Sequence, residues 1–165
     1  MAVDTPRIAK QNEQLLVHVM NEQVEDARGV YADIIEEHCT EGLAALCWVQ
    51  VAVLKHLVKQ CGGDPATAAI GVEGGTIDAV EPARRTAVRL ILAGFDGDQK
   101  MFFDLYNATF FGGDGGRSAV KVGWEITRVV AEQIKEMDDR GIPLALDAMA
   151  RSPHALAATS VEPAP

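Results

Sequence analysis

A glycine-rich segment, Phe111 to Ser118, has the composition of a loop that binds phosphate groups. A P-loop requires four residues between its glycines, a lysine and a preceding strand, because backbone N–H groups at a strand-to-helix turn hold the phosphates. Here three residues intervene, Arg117 stands where the lysine belongs, and the preceding segment has helical periodicity. The pattern therefore favours a connection between helices, with Asp114 near a helix N-terminus.

Residues that bind metals are present but lack the spacing of known sites. A carboxylate site in a helical bundle uses Glu-x-x-His repeats, and none of the four histidines has a glutamate three residues before it. Asp96-x-Asp98 begins like a calcium loop, but Lys100 occupies the third ligand position and Asn107 the last. We predict no metal site and no cofactor.

Covalent catalysis has no local support in the sequence. Cys39, Cys47 and Cys61 lie in apolar helical segments, so we expect all three to be reduced core residues with poorly reactive thiols. No catalytic residue is predicted, although a triad assembled from distant residues leaves no local pattern. The sequence favours a non-enzymatic protein and leaves enzymatic activity open.

Aromatic residues are concentrated in one stretch of thirty residues, Phe95 to Trp124, which holds seven of the nine in the chain. Apolar cavities with a few polar groups are the usual ligand sites, so one hypothesis is a pocket, hinged at Gly97 and residues 112–116, that binds an apolar small molecule or serves an enzyme of unknown reaction. An ordinary aromatic core or a dimer contact is favoured over that pocket, because large rings are common core material. The residues that would wall the pocket are Phe102, Phe103, Tyr106, Phe110 and Trp124.

Acidic residues are concentrated at the N-terminal end of the chain, and this concentration limits the kinds of partner that we expect. The first 41 residues hold nine acidic residues against three basic ones, and seven of the acids recur at helical spacing between Glu22 and Glu41. This stripe is either a solvated helix face or a docking surface for a basic protein. A loose helix-turn-helix match at residues 65–80 offers mainly carboxylates to phosphates. DNA-linked regulation is therefore only a further alternative, and nucleic acid binding is not expected.

Periodicity predicts helices throughout and no convincing strand. A helix from about Ile8 to His38, with a kink or division at Gly29, precedes Leu43 to Cys61, which is apolar on several faces and is the expected central helix. Further helices are predicted from about Glu81 or Pro82 to Ala93, from about Gln99 to Phe110, and from the glycine-rich segment to about Asp139. These elements define an all-α domain of about five or six helices.

Two heptad seams predict self-association. One comprises Leu43, Cys47, Gln50, Leu54, Leu57 and Cys61, in the central helix. The other, in the last helix, supplies the candidate interface residues Val120, Gly123, Thr127, Val130, Ile134 and Met137. The leading functional hypothesis is a regulatory or interaction protein that acts as a homodimer through one of these helices.

Composition sets the broad class. At 165 residues, with 48% hydrophobic and 24% charged residues, the chain suits one globular domain, assigned to residues 1–151, followed by an Ala/Pro/Ser/Thr tail at 152–165. The N-terminus lacks a signal pattern, and the longest uncharged apolar stretch, Gly42 to Leu54, is short for a bilayer span. We expect a cytoplasmic protein without a membrane partner.

Overall fold

The computed structural model describes residues 4–65, 81–110, 113, 114 and 116–140, without the side chain of Phe110. Five helices and no strand occur in these ranges, which confirms the predicted all-α fold. The predicted tail and nearly all of the helix-turn-helix segment lie outside the described residues, as does the predicted domain boundary at residue 151. The helices are α1 (Thr5–Met20), α2 (Val24–Gln60), α3 (Pro82–Phe95), α4 (Gln99–Phe110) and α5 (Arg117–Asp139).

Helix ends follow local capping chemistry. The carboxylates of Asp4 and Asp98 accept hydrogen bonds from backbone N–H groups in the first turns of α1 and α4, at 3.1 and 2.8 Å. Asp114 does the same for α5, accepting from the N–H of Ser118 at 2.9 Å. Gly62 ends α2 with a left-handed φ of 78°, a conformation that glycine adopts without steric cost.

The first predicted helix is divided in a different place. Helix α1 stops at Met20, and α2 begins at Val24, runs through Gly29 and continues into the predicted central helix. Its one interruption is Cys39, whose φ of 54° and ψ of −150° are not helical. The division at Gly29 was wrong because a glycine inside a helix lowers its stability without necessarily breaking it.

The core lies between the second half of α2 and α5. Leu43, Leu46, Leu54 and Leu57 of α2 are buried, in agreement with the predicted central helix. Helix α5 shares that position, because it contacts each of the other four helices. These two helices therefore fix the relative positions of the remaining three.

Helix α2 is also long and apolar enough, by length and composition, to cross a membrane, although 61% of its apolar window is buried within the fold. The core helix of a soluble protein passes the same test. This observation is therefore weak support for a membrane span and is consistent with a soluble core helix.

Candidate functional site

A groove of about 420 Å³ lies where the corner between α1 and α2 meets α5. This volume is within the range of small-molecule sites in proteins. Both apolar and charged side chains line it, so the groove offers contact area and polar recognition together. The lining comprises Val19, Met20, Glu22, Val24, Arg28, Trp124, Arg128, Ala131, Glu132 and Lys135.

The corner that forms one wall is a tight helix ending. The N–H of Gln23 donates to the carbonyl of His18 at 2.9 Å, and the N–H of Glu22 donates to that of Val19 at 3.1 Å. This is the Schellman pattern, which requires a left-handed residue at the position of Glu22. Glu22 has a φ of 60°, so a glutamate occupies a conformation usual for glycine. The Gln23 side chain closes the corner through a 2.9 Å contact between its Oε1 and Nδ1 of His18.

The opposite wall is one face of α5. Trp124, Arg128, Ala131 and Lys135 are spaced by four, three and four residues, which aligns them along the helix. The half-buried indole of Trp124 meets the ring of Tyr31 edge-on, with centroids 5.3 Å apart. Because the Tyr31 hydroxyl donates to the Val120 carbonyl at 2.8 Å, this ring is fixed and in turn orients the indole.

Ion pairs surround the groove. Nη1 of Arg28 lies 3.1 Å from Glu25, and Nη1 of Arg128 lies 3.0 Å from Glu125. Lys135 Nζ is 4.0 Å from Glu22, at the limit of an ion pair.

Arg84 of α3 holds the carboxylate of Glu132 with two nitrogens and also contacts Glu125 at 3.4 Å. The hydrogen bond to Glu132 is the main reason that the pKa of Arg84 is raised. Glu132, the acidic lining residue that α5 contributes, therefore already has a cationic partner.

The five rings predicted to wall a pocket fall into different places. Phe102 and Tyr106 are buried and Phe103 is half-buried. Trp48 packs on Phe102 and Phe103, with centroid distances of 5.1 and 5.8 Å. Trp124 instead contacts Tyr31, and of the four predicted rings whose side chains are described it alone lines the groove. Phe110 is in α4, but its side chain lies outside the description. Sequence reasoning missed Trp48 and Tyr31, since both lie far from the aromatic stretch along the chain.

The predicted interface seam of α5 is mostly covered by the chain itself. Gly123, Thr127, Val130 and Ile134 are buried and Met137 is half-buried, whereas Val120 is exposed. A Cβ at Gly123 would lie 3.0 Å from Leu43 and 3.5 Å from Cys47, which shows how closely the seam of α2 approaches. A homodimer stays a prediction, and it would need a face other than these buried positions.

The three cysteines differ in exposure. Cys47 is buried, whereas Cys39 and Cys61 are exposed, so the prediction of three core thiols is wrong for two of them. Cys39 lies at the interruption of α2 and Cys61 at its C-terminus, positions that periodicity alone does not place outside the core. Burial raises the pKa of Cys47 to about 12 and also raises the pKa of Tyr106. These groups are therefore poor acids and bases at neutral pH.

The acidic stripe is exposed on the first half of α2 and partly neutralised. Glu37 accepts hydrogen bonds from Arg7 Nε and Nη2 at 2.8 and 2.7 Å, and the Arg7 bond is the main cause of its lowered pKa. Four acids of the stripe have no ion pair within the described ranges: Asp26, Asp33, Glu36 and Glu41. The basic protein partner stays a prediction. In the same ranges, no three His, Cys, Asp or Glu side chains form a group that could hold a metal ion.

Comparison of the chain with protein family models, curated proteins and solved structures found no significant match.

Proposed function

We propose that this is a non-enzymatic cytoplasmic protein that binds a small molecule in the groove between the α1–α2 corner and α5. The groove supports the proposal, because its 420 Å³ volume combines an indole wall with charged side chains. The binding class agrees with one of the alternatives drawn from the sequence. The binding site differs, since Trp124 lines the groove but Phe102, Phe103 and Tyr106 do not.

The two tryptophans allow a direct test. Each indole N–H gives one peak in a ¹H–¹⁵N correlation spectrum, and the chain holds two tryptophans. Titration with 2-(2-naphthyl)ethanol should shift the peak of Trp124 in a saturable manner and leave that of Trp48 in place. A Trp124→Phe variant assigns the peaks.

A matched pair of variants locates the binding. Val24 and Val17 are both about half exposed, at 46% and 49%, but Val24 alone lines the groove. Val24→Tyr should fill the groove and weaken binding, whereas Val17→Tyr should leave it unchanged. The proposal fails if the alcohol and naphthalene analogues of either charge all leave the Trp124 peak in place, or if both variants bind as the parent does.

A homodimeric interaction protein is the second candidate, and the outer side of α4 supports it. Met101 and Leu105 are 49% and 37% exposed and lie one helical turn apart, with Ala108 also exposed on that side. Apolar side chains grouped on a surface often mark protein contacts. Sedimentation velocity should give a dimer that Leu105→Glu dissociates and Asn107→Glu preserves. A monomer mass that does not change with concentration would remove this candidate.

A further inference from the structure

We propose that the groove selects small organic anions that carry a flat apolar body. The apolar body would lie against Trp124, and the anionic group would contact the cations at the rim of the groove, which are Arg28, Arg128 and Lys135. This inference rests on the proposed function, since it names the chemical class of ligand for the same groove. Three observations support it: the placement of the cations, their unused hydrogen-bond donors, and the engagement of the neighbouring carboxylates.

The three cations lie on both walls of the groove that contains the Trp124 indole. Arg128 and Lys135 lie four and eleven residues after Trp124, on the same face of α5. Arg28 comes from α2 across the groove. A ligand with its apolar part on the indole would therefore have its polar end within reach of cations from either wall.

The rim cations retain donors that no protein acceptor uses. A guanidinium has five N–H donors, while Arg28 and Arg128 each make one side-chain hydrogen bond to a carboxylate in the described part of the chain, at 3.1 and 3.0 Å. Lys135 lies 4.0 Å from Glu22, too far for a hydrogen bond. A carboxylate, sulfonate or phosphate group supplies the acceptors that these donors lack.

The carboxylates that α5 contributes near the groove are less available to a cationic ligand, whereas Glu22 is exposed. Glu132 is held by two nitrogens of Arg84, and Glu125 contacts both Arg84 and Arg128. A cation that binds Glu132 or Glu125 would have to displace these guanidinium groups. An anion needs only to share Arg28 and Lys135 with their exposed partners Glu25 and Glu22, and such exposed ion pairs contribute little to stability.

The net negative charge of the whole chain opposes the binding of an anion in the groove. The formal net charge is −9, which disfavours the approach of an anion at long range. Selection must therefore arise from contacts inside the groove, through charge-assisted hydrogen bonds. Raising the salt concentration should weaken the preference for an anion, because the cations of the rim are partly exposed to solvent.

Three naphthalene probes test the ligand class, with the Trp124 indole peak as the readout. They share the same apolar body and differ in charge: 2-naphthylacetate, 2-(2-naphthyl)ethanol and 2-(2-naphthyl)ethylamine. We expect the anion to bind about tenfold more tightly than the alcohol, and the amine to bind least.

Variants at lysines of α5 and at Arg28 of α2 test whether the preference for an anion arises in the groove. Lys135→Gln should reduce the affinity for 2-naphthylacetate severalfold more than the affinity for the alcohol. Lys121→Gln removes an exposed cation of α5 outside the groove and should change neither affinity. Arg28→Gln combined with Lys135→Gln should remove most of the preference for the anion.

The outcomes separate the two proposals. Equal binding of the anion and the alcohol at Trp124 overturns the anion preference and leaves the groove as a binding site. A preference that survives the Arg28→Gln/Lys135→Gln variant also overturns it. Failure of all three probes to shift the Trp124 peak overturns the anion preference and the proposed function together.

Discussion

Gln50 of α2 and Thr127 of α5 are joined by a hydrogen bond inside the core. Gln50 Nε2 donates to Thr127 Oγ1 at 2.9 Å, and both residues are fully buried. The hydroxyl of Thr127 has one proton, and the Gly123 carbonyl lies 3.1 Å away to accept it. Buried polar groups without partners are costly, so this contact fixes how the two central helices face each other.

Replacing Thr127 with valine should destabilise the fold, because the Gln50 amide would be left without its partner. We expect a loss of about 1–3 kcal/mol in the free energy of unfolding, measured by urea denaturation. A Gln50→Leu/Thr127→Val double variant should lose less than the sum of the single variants, since it removes both polar groups together.

Thr86 provides a matched control for this prediction. Its hydroxyl also donates to the carbonyl four residues earlier, that of Pro82, at 3.1 Å, but at an exposed site. Thr86→Val should change stability by less than about 0.5 kcal/mol. Equal effects of Thr86→Val and Thr127→Val would contradict the assigned role of the buried pair.

The same contact shows where sequence reasoning reached its limit. Gln50 belongs to the predicted seam of the central helix, and Thr127 belongs to the predicted seam of the last helix. Taken alone, both seams predict self-association. Gln50 on Thr127, with Leu43 and Cys47 near Gly123, shows that the seams pack on each other within one chain. A heptad pattern identifies an apolar face but does not say whether its partner is in the same chain or another.

Local features could be predicted because their causes are local. Asp114, which the sequence predicts near a helix N-terminus, accepts a hydrogen bond from the first turn of α5, and aspartate is strongly preferred at helix N-termini. The groove had no such signal, because Val24 and Lys135 meet only after α1, α2 and α5 have packed. The end of α1 was also missed, since a glutamate at the left-handed position gives no glycine to recognise.

Gly123→Ala should destabilise the protein, because α5 approaches Tyr31 closely at this residue. An added Cβ would lie 2.5 Å from the Tyr31 hydroxyl, which would have to leave the Val120 carbonyl. Overpacking of this kind costs about 1–3 kcal/mol, and thermal unfolding should show a lower Tm. The Trp124 indole peak should move too, since Tyr31 contacts that ring.

Gly29→Ala is the matched control for Gly123→Ala. Gly29 is an exposed helical glycine, and an added Cβ there would meet nothing within 4 Å. Alanine should raise stability by about 0.5–1 kcal/mol through its higher helix propensity. The interpretation of Gly123 would be wrong if both alanine variants changed the Tm in the same direction.

Glu22→Gly should stabilise the corner at the groove. Glu22 has a φ of 60° and occupies the same hydrogen-bonding position at the end of α1 that Gly62 occupies at the end of α2. A side chain in this conformation costs about 1–2 kcal/mol, partly offset by the greater backbone freedom of an unfolded glycine. We expect a gain of about 0.5–1 kcal/mol in the free energy of unfolding, measured with urea.

Glu22→Ala separates backbone strain from the loss of the side chain. It removes the exposed contact with Lys135 but keeps a Cβ at a left-handed position. Such exposed pairs contribute little, so this variant should be no more stable than the parent. An equal gain in stability for Glu22→Ala and Glu22→Gly would exclude backbone strain as the cause.

Cys47 should make the protein less stable in alkaline solution. Burial raises the pKa of its thiol from an ordinary value of 9.0 to about 12. Between these two values the unfolded thiol loses its proton while the folded one retains it, so its contribution is fully present below about pH 8.5 and is lost as the pH rises toward the folded value. The slope for one such group approaches about 1.4 kcal/mol per pH unit. Tyr31 and Tyr106 add to the same trend, because burial raises the pKa of each.

Urea unfolding at pH 8 to 11 should therefore show a steeper fall in stability for the parent than for Cys47→Ala, which retains both tyrosines. Cys61→Ala removes an exposed thiol and should keep the slope of the parent. Identical slopes for the parent and Cys47→Ala would show that this thiol is not held protonated by the core.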